Sequence, residues 1–198
     1  MEEDDSVIVS SRETSTIIKV RDIHGNKELD YLIGDEDFWK GTPYESYSYT
    51  KVGDFTPQYG QHTVEYAGNE GLEDGQYYLR MFDNNYWSLS TRDSYEPDLP
   101  DSVGTALLDD SKYSHVYFYL VDEKARTFEL VDSFDVPYSS IVSNVTPMGD
   151  NYVVNSGCSM VFGEYTQDGT LIREYSYECT LQTYRVMKGD FAGFWFAE

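Results

Sequence analysis

Histidine is the first residue type to consider for chemistry, because the sequence contains only three. A neutral imidazole, with a pKa of about 6.5, can attack an electrophile at neutral pH without a separate base. His62 lies between a Gly60-Gln61 turn and an apolar segment, which suits a side chain aimed from the end of a strand. His24 lies in a turn and is expected to be exposed, and His115 is expected to be a partly buried strand residue. Of the three, His62 is the best placed to act as a nucleophile, although a hydrogen-bonded structural histidine is the favoured interpretation of a lone histidine from the residues alone.

Other catalytic and metal-binding signatures are absent from the sequence. There is no Gly-rich phosphate loop, no H-E-x-x-H and no G-x-S-x-G. The spacing of Cys158 and Cys179 is not a zinc motif; two free thiols are favoured, and a single bridge stays open. The acidic clusters Asp35–Asp37, Asp98–Asp101 and Asp109-Asp110 lack the spacing of a calcium loop and are predicted to be solvated surface. We predict neither a metal nor a cofactor.

Composition excludes several classes of partner. The 198 residues include 36 Asp and Glu against 14 Lys and Arg, a net charge of −22. Such a polyanion is repelled by nucleic acid and by anionic membrane surfaces. No run approaches the roughly 18 apolar residues of a membrane helix. With 40% hydrophobic and 16% aromatic residues, the chain is predicted to fold as a single domain over residues 1–198 rather than to stay disordered.

Short alternating segments between turn signals predict an all-β, antiparallel, hairpin-rich fold. Long helical periodicity is absent. The predicted strands are Ser6–Ser11, Ser15–Arg21, Leu29–Ile33, Thr63–Ala67, Gln76–Phe82, Ser114–Val121, Thr127–Phe134, Ile141–Thr146, Asn151–Asn155, Met160–Thr166, Leu171–Tyr177 and Gln182–Met187.

A weak internal repeat suggests propeller blades. Residues 4–33 and 149–177 share the order polar turn, short strand, Ser-containing break, second strand, Gly turn and third strand. A middle copy starts at Asp74 and is split by a long insert at about 84–112. Repeats of this size predict about three blades, whereas propellers close with about four or more. We therefore expect a partial propeller, part of a longer chain.

The motifs, taken in order, resemble the bacterial arylsulfate sulfotransferase family, whose members move a sulfuryl group between phenols. The family has a strand, an S-S-R motif and a W-I-L-G-like run, and these look like DDSVIVSSRETSTIIKV followed by YLIGDEDFW. YGQHTVEY and LRMFDNN look like its Q-H motif and F-D-N turn. SSIVSNVTPMGDNYVVNSG and EYTQDGTLIREY, followed by Tyr184-Arg185, resemble its closing blade. The resemblance implies a six-bladed propeller, small-molecule aryl sulfate and phenol substrates, and a secreted or periplasmic location.

Two site residues are carried over from the resemblance. It implies that His62 is the transiently sulfurylated nucleophile and that Arg12, in Ser10-Ser11-Arg12, binds the sulfuryl group. Thr63 stands where the family usually has an acidic residue after Q-H. The family's His-x-Asn pair and a further upstream His have no counterpart here. We therefore expect a C-terminal portion of the enzyme with an incomplete site, so that activity of this chain alone is uncertain.

An aryl sulfate needs local positive charge in so acidic a chain. A guanidinium matches two sulfate oxygens, and among the seven arginines Arg12 is the first candidate, followed by Arg80 and Arg185. A surface salt bridge is the alternative for each. Tyr59 and Trp39 are candidates for stacking on the phenol.

Two other functional hypotheses compete with the arylsulfotransferase interpretation. One is a non-catalytic propeller module that binds a partner. The other is a carboxylate-based carbohydrate enzyme, which the acidic composition allows and no motif supports. Open blade edges also predict a homo-oligomer.

Overall fold

The computed structural model describes residues 5–86 and 111–189, and these are almost entirely strands and turns. The all-β prediction is confirmed. Beyond the strands there are a one-turn helix, α1 (Glu36–Trp39), and a 3₁₀ turn (Glu45–Tyr47). The strands are β1 (Val7–Ser11), β2 (Thr16–Arg21), β3 (Glu28–Ile33), β4 (Thr50–Val52), β5 (His62–Tyr66), β6 (Gln76–Asp83), β7 (Tyr113–Asp122), β8 (Thr127–Pro137), β9 (Asn144–Met148), β10 (Asn151–Ser156), β11 (Val161–Thr166) and β12 (Leu171–Ser176).

The strands form three sheets, each built from strands consecutive in the chain. The first sheet has the order β1-β2-β3, and the third has the order β12-β11-β10-β9. The second has the order β4-β8-β7-β6-β5, in which only β4 pairs in parallel, along β8. Antiparallel neighbours joined by short turns explain why sequence alternation finds most of these strands.

Three details differ from the sequence prediction. The predicted strand Gln182–Met187 is wrong, because this segment forms no strand. The predicted strand Ile141–Thr146 begins late, as β9 at Asn144, because Val142 and Ser143 have positive φ angles of 57° and 84°, and two consecutive left-handed residues interrupt the extended backbone that strand pairing needs. Strand β4 was not predicted; at three residues it is too short to show alternation.

Part of the predicted insert at about 84–112 falls in residues 87–110, which lie outside the described residues, as do the clusters Asp98–Asp101 and Asp109-Asp110. Cys158 is buried and Cys179 is exposed, and both are free thiols. Within residues 5–86 and 111–189, no helix has the length and apolar character needed to cross a membrane.

The second sheet is the middle layer, because its central strands bury apolar residues on both faces. Tyr77, Leu79 and Met81 of β6 pack with residues of the first sheet, including Ile17 and Tyr31. On the opposite face, a second core joins the second sheet to the third; it contains Phe82, Val116, Val136, Val145, Val154 and Tyr165. Alternate side chains of one strand thus point into two different cores, and this fixes the strand register that positions the candidate site.

An ion pair is buried between the first and second sheets. The Lys19 side chain is 1% exposed, with its Nζ 2.5 Å from Glu123 Oε1 and 3.6 Å from Asp30 Oδ2. Arg21 Nη2 lies 3.1 Å from Asp30 Oδ1. Burial raises the pKa of Asp30, and the charges of Arg21 and Lys19 oppose that rise. Removing the lysine would leave buried carboxylate charge without its partner.

We predict that Lys19→Met lowers the free energy of unfolding by about 3 kcal/mol, because it breaks a buried pair. The matched control is Lys40→Met, since the Lys40 side chain is 72% exposed and pairs with Asp37, three residues before it in the chain. Its effect should stay within about 0.5 kcal/mol. Urea denaturation of both variants measures the difference. Equal, small effects would contradict a stabilising role for the Lys19 pair.

Candidate functional site

His62 is the first residue of β5 and follows the turn formed by Tyr59, Gly60 and Gln61. Its imidazole is half-buried, with Nδ1 2.6 Å from Asn84 Oδ1 and 3.1 Å from the Gly60 carbonyl. The next residue, Thr63, has a φ of 54°, and the β5–β6 register shifts between His62 and Glu65. A β-branched residue at positive φ is strained, and such strain clusters at functional sites.

The environment keeps the His62 imidazole neutral. Burial is the largest effect and lowers the pKa of His62, and the positive charges of Arg12 and Arg185 lower it further. The hydrogen bonds to Asn84 and Gly60 oppose this shift. A pKa below the ordinary value leaves a neutral ring at neutral pH, which is the form a nucleophile needs.

Arg12 follows β1 in the tight turn between β1 and β2. That turn closes with a hydrogen bond from the Ser15 amide to the Arg12 carbonyl, and Ser15 has a φ of 47°. The Arg12 side chain is 15% exposed, its Nη1 donates to Glu13, and its Cζ lies 5.8 Å from the centre of the Tyr86 ring. Its Nε and Nη2 are buried and have no hydrogen-bond partner among residues 5–86 and 111–189. These two donors can accept an anionic ligand.

Gln61 fastens the β1–β2 hairpin to the turn before His62. Its Nε2 donates to Ser10 Oγ at 3.1 Å and to the Thr16 carbonyl at 3.3 Å, and Ser10 Oγ donates back to the Gln61 carbonyl at 3.2 Å. The Gly60 amide donates to Ser15 Oγ at 3.0 Å. These bonds bring together the S-S-R and G-Q-H motifs, which are separated by 50 residues in the chain.

The segment after β12 brings Tyr184 and Arg185 to the same place. The Tyr184 ring meets the His62 ring edge to face, with centres 6.3 Å apart, and Arg185 Cζ lies 5.3 Å from the Tyr184 ring centre. Asn144 holds this segment with two hydrogen bonds, because its Nδ2 donates to the Val186 carbonyl at 2.8 Å and its Oδ1 accepts from the Val186 amide at 2.9 Å. A side-chain amide thus replaces the strand pairing that the sequence predicted for Gln182–Met187.

The other candidates make contacts of a different kind. Arg80 is buried, with Nη2 2.6 Å from Glu65 Oε2 and Cζ 5.6 Å from the Tyr152 ring centre. Its guanidinium therefore links β5, β6 and β10. A contact between Arg80 and the substrate stays a prediction, as do the substrate contacts of Tyr59 and Trp39.

Tyr59 and Trp39 lie beside the turn and the hairpin rather than against the imidazole. The Tyr59 hydroxyl donates to Asp35 Oδ2 at 3.4 Å, and its amide donates to Asp83 Oδ1 at 2.6 Å. Trp39 Nε1 donates to Thr16 Oγ1 at 3.2 Å. Both rings therefore support the segments that carry His62 and Arg12.

The two remaining histidines behave as expected. His24 is 84% exposed and pairs with Asp5 at 2.5 Å. His115 is 22% exposed, stacks on Tyr117 and lies 2.9 Å from Asp83 Oδ2. In residues 5–86 and 111–189, no group of three or more His, Cys, Asp or Glu side chains could hold a metal ion.

Two contact residues were missed by the sequence analysis. Asn84 and Tyr86 follow β6 and contact His62 and Arg12 respectively. The only sequence signal was the F-D-N turn of the resemblance, which includes Asn84. Nothing in the spacing indicated that residues so far from Arg12 in the chain would surround it.

An all-β scaffold that sets a neutral imidazole near a guanidinium with two unpartnered donors, within the part of the chain that the structure describes, is suited to handling anionic groups. The sequence matches the family model described as Arylsulfotransferase (ASST) over residues 1–189. Because the match spans nearly the whole chain, the protein belongs to the arylsulfotransferase (ASST) family, as the resemblance implied, and an arylsulfotransferase-like function follows in general terms. A comparison with curated proteins gave no match.

The turn before His62 gives a testable prediction about site geometry. Gly60 has a φ of 68°, and a Cβ there would lie 2.3 Å from the Tyr86 carbonyl oxygen. Gly41 has a φ of 73° with nothing within 4 Å of its Cβ position. Both Gly→Ala changes cost about 1 kcal/mol from the left-handed backbone. We predict that Gly60→Ala costs about 1–3 kcal/mol more, because the clash with Tyr86 must be relieved.

Urea denaturation compares the two glycine variants, and the ring signals of His62 in NMR spectra report whether the site shifts. We expect a shift of these signals in Gly60→Ala and not in Gly41→Ala. The same loss of stability in both variants would contradict the close approach of Tyr86.

Proposed function

We propose that this protein transfers a sulfuryl group from an aryl sulfate to a phenol through a sulfohistidine intermediate on His62. The observation that carries the proposal is a pair of buried Arg12 donors, Nε and Nη2, near a neutral imidazole; neither donor has a partner in the part of the chain that the structure describes. Family membership supports the same class of substrate.

The two unpartnered donors of Arg12 are informative because the chain is rich in carboxylates, which are the natural partners of a guanidinium. Leaving buried donors without acceptors costs about 1–3 kcal/mol for each, and more for charged groups. The chain holds 36 carboxylates, yet among the described residues Glu13 is the one that pairs with Arg12, through Nη1. A sulfate group, with its trigonal set of oxygens, supplies the acceptors that Nε and Nη2 lack.

The proposed reaction has two sulfuryl-transfer steps, first to His62 and then from His62 to the acceptor phenol. A lone pair of the neutral His62 ring attacks sulfur, the N–S bond forms, and the S–O bond to the aryl group breaks, so that its electron pair leaves with the phenolate. The sulfurylated ring carries a positive charge that balances the sulfonate. An acceptor phenol then loses its proton and attacks sulfur, the N–S bond breaks, and neutral His62 is regenerated. The released proton ends on the first phenolate.

Positive charge and aromatic surface flank the reacting groups. Arg185 adds a second guanidinium near His62, sufficient to lower the pKa of the ring. Tyr86 lies beside Arg12, and Tyr184 lies beside His62. Aromatic rings at these positions can stack on the aryl group of donor or acceptor, and Tyr59 and Trp39 remain further candidates for that role.

We also propose that the three sheets are consecutive blades of a β-propeller. Support comes from the order of strands, since consecutive antiparallel strands are neighbours in each sheet and only β4 departs from this order by pairing with β8. The contacts of β5, the first antiparallel strand of the second sheet, with β1 and β9 give further support. First strands that lie side by side are expected around a propeller channel. The extracellular or periplasmic location implied by the resemblance stays a prediction.

Self-association remains a further proposal about the outer sheets. Val7 and Val9 of β1 are 38% and 42% exposed, and Leu171 and Ile172 of the edge strand β12 are 46% and 49% exposed. Apolar side chains on outer strands favour pairing with another copy of the chain.

The proposal is tested by incubating the full chain with 4-nitrophenyl sulfate and measuring its intact mass. We predict the added mass of one SO₃ group, lost again when phenol is supplied. His62→Ala should abolish the adduct, while His24→Ala should leave it unchanged, since His24 is exposed and paired with Asp5. Arg12→Gln should slow adduct formation by about 10²–10³-fold, the effect of losing a donor to developing negative charge.

Two results would overturn the proposal. An adduct that persists in His62→Ala would place the nucleophile elsewhere. Wild-type protein that never forms an adduct, while still binding an aryl sulfate, would instead indicate a binding module without chemistry.

A further inference from the structure

We infer that Asn84 is the positioning residue of His62: it holds the ring in the tautomer with a proton on Nδ1, so that Nε2 is the nitrogen that attacks. The meaning of this inference for catalysis rests on the proposed function. The tautomer itself follows from hydrogen-bond geometry and can be measured without any substrate.

The orientation of the Asn84 amide is fixed by its surroundings. Nδ2 donates to the Ser139 carbonyl at 2.6 Å and to the Val142 carbonyl at 3.1 Å. Carbonyl oxygens only accept, so the amide nitrogen must face them. The amide oxygen then faces His62 Nδ1, at 2.6 Å.

An amide oxygen so placed requires a donor on the ring. Oδ1 of Asn84 only accepts, and the Gly60 carbonyl, 3.1 Å from the same nitrogen, only accepts as well. Nδ1 of His62 must therefore carry the proton. In a neutral ring the lone pair is then on Nε2, for which no hydrogen-bond partner is found within residues 5–86 and 111–189.

The loop that supports Asn84 is strained and internally bonded. Asn84 is fully buried. Val142 and Ser143 both have positive φ angles, and Ser143 Oγ donates to Ser139 Oγ at 2.8 Å. Ser139 Oγ in turn accepts from the Cys158 amide at 3.0 Å. Strained backbone persists only where the surrounding structure determines it, and here it directs two carbonyls at the Asn84 amide.

The same hydrogen bond becomes stronger during the proposed reaction. When Nε2 bonds to sulfur, the ring gains positive charge and Nδ1–H becomes a charged donor. Charged hydrogen bonds are roughly twice as strong as neutral ones, so Asn84 stabilises the intermediate more than the resting ring. A carboxylate at this position would instead favour a protonated resting ring, which cannot attack.

The test is ¹⁵N NMR of the full chain with labelled histidine, in which only three residues contribute signals. His62→Ala assigns the ring. We expect wild-type His62 to show a protonated Nδ1 and an unprotonated Nε2 at neutral pH. In Asn84→Leu the Nδ1–H population should fall, so that both tautomers coexist. In the isosteric Asn84→Asp the pKa of His62 should rise by about one unit or more.

Ser114→Ala is the matched control. Ser114 Oγ is buried in the same layer and donates to the backbone carbonyls of Asn84 and Ser139, at 3.3 Å each, without contacting the Asn84 side chain. A change in the His62 tautomer that is caused by altered packing alone would therefore appear in this variant too. We expect its His62 tautomer to equal that of the wild type.

Three results would overturn the inference: a proton on Nε2 in the neutral wild-type ring, an unchanged Nδ1–H population in folded Asn84→Leu, or an unchanged pKa in Asn84→Asp. The first and third do not depend on the leucine variant folding. An Nδ1–H tautomer in a protein that forms no adduct would contradict the proposed function alone. An adduct on a ring that carries its proton on Nε2 would contradict this inference alone.

Discussion

The candidate site depends on the hydrogen bonds between Gln61 and the end of the β1–β2 hairpin. Arg12 lies on the hairpin and His62 lies in the second sheet, and away from the site the two sheets meet through a core of apolar side chains and the buried Lys19 ion pair. Apolar packing is not directional, so it does not by itself set the distance between two polar groups. The Gln61 amide and the Ser10 and Ser15 hydroxyls supply that direction. They place a guanidinium where its charge lowers the pKa of the imidazole.

Elsewhere around His62, polar side chains also position segments of the chain by hydrogen bonding to the backbone. Asn144 holds the segment with Tyr184 and Arg185, and Asn84 joins His62 to the loop that contains Val142. The side-chain amides of Asn84 and Asn144 each use both their donor and their acceptor, which avoids the cost of burying polar groups. Within residues 5–86 and 111–189, single buried atoms such as Gln61 Oε1 and Arg80 Nε also lack a partner, but Arg12 differs because two donors of its charged guanidinium are left without acceptors. That contrast is the physical reason for treating Arg12 as a binding group.

Sequence periodicity predicted the all-β class and most strand positions, because alternation reports which face of a strand is buried. It failed at Gln182–Met187, where a side-chain amide replaces a neighbouring strand, and at Ile141–Val142, where positive φ delays the start of β9. The resemblance selected His62 and Arg12, the charge argument added Arg185, and both arginines lie close enough to His62 to lower the pKa of its ring. The contacts of Asn84 with His62 and of Tyr86 with Arg12 were not predicted, because they join different loops and no local sequence pattern encodes such contacts.

The central claim is that Arg12 and His62 form one anion site, and the most direct measurement is a titration with inorganic sulfate followed by the NMR signals of the His62 ring. We predict a saturable shift in the wild type that is lost in Arg12→Gln. It should be retained in Arg173→Gln, which alters an exposed arginine on β12. A His62 ring that does not respond to sulfate, or that responds equally without the Arg12 guanidinium, would contradict the account.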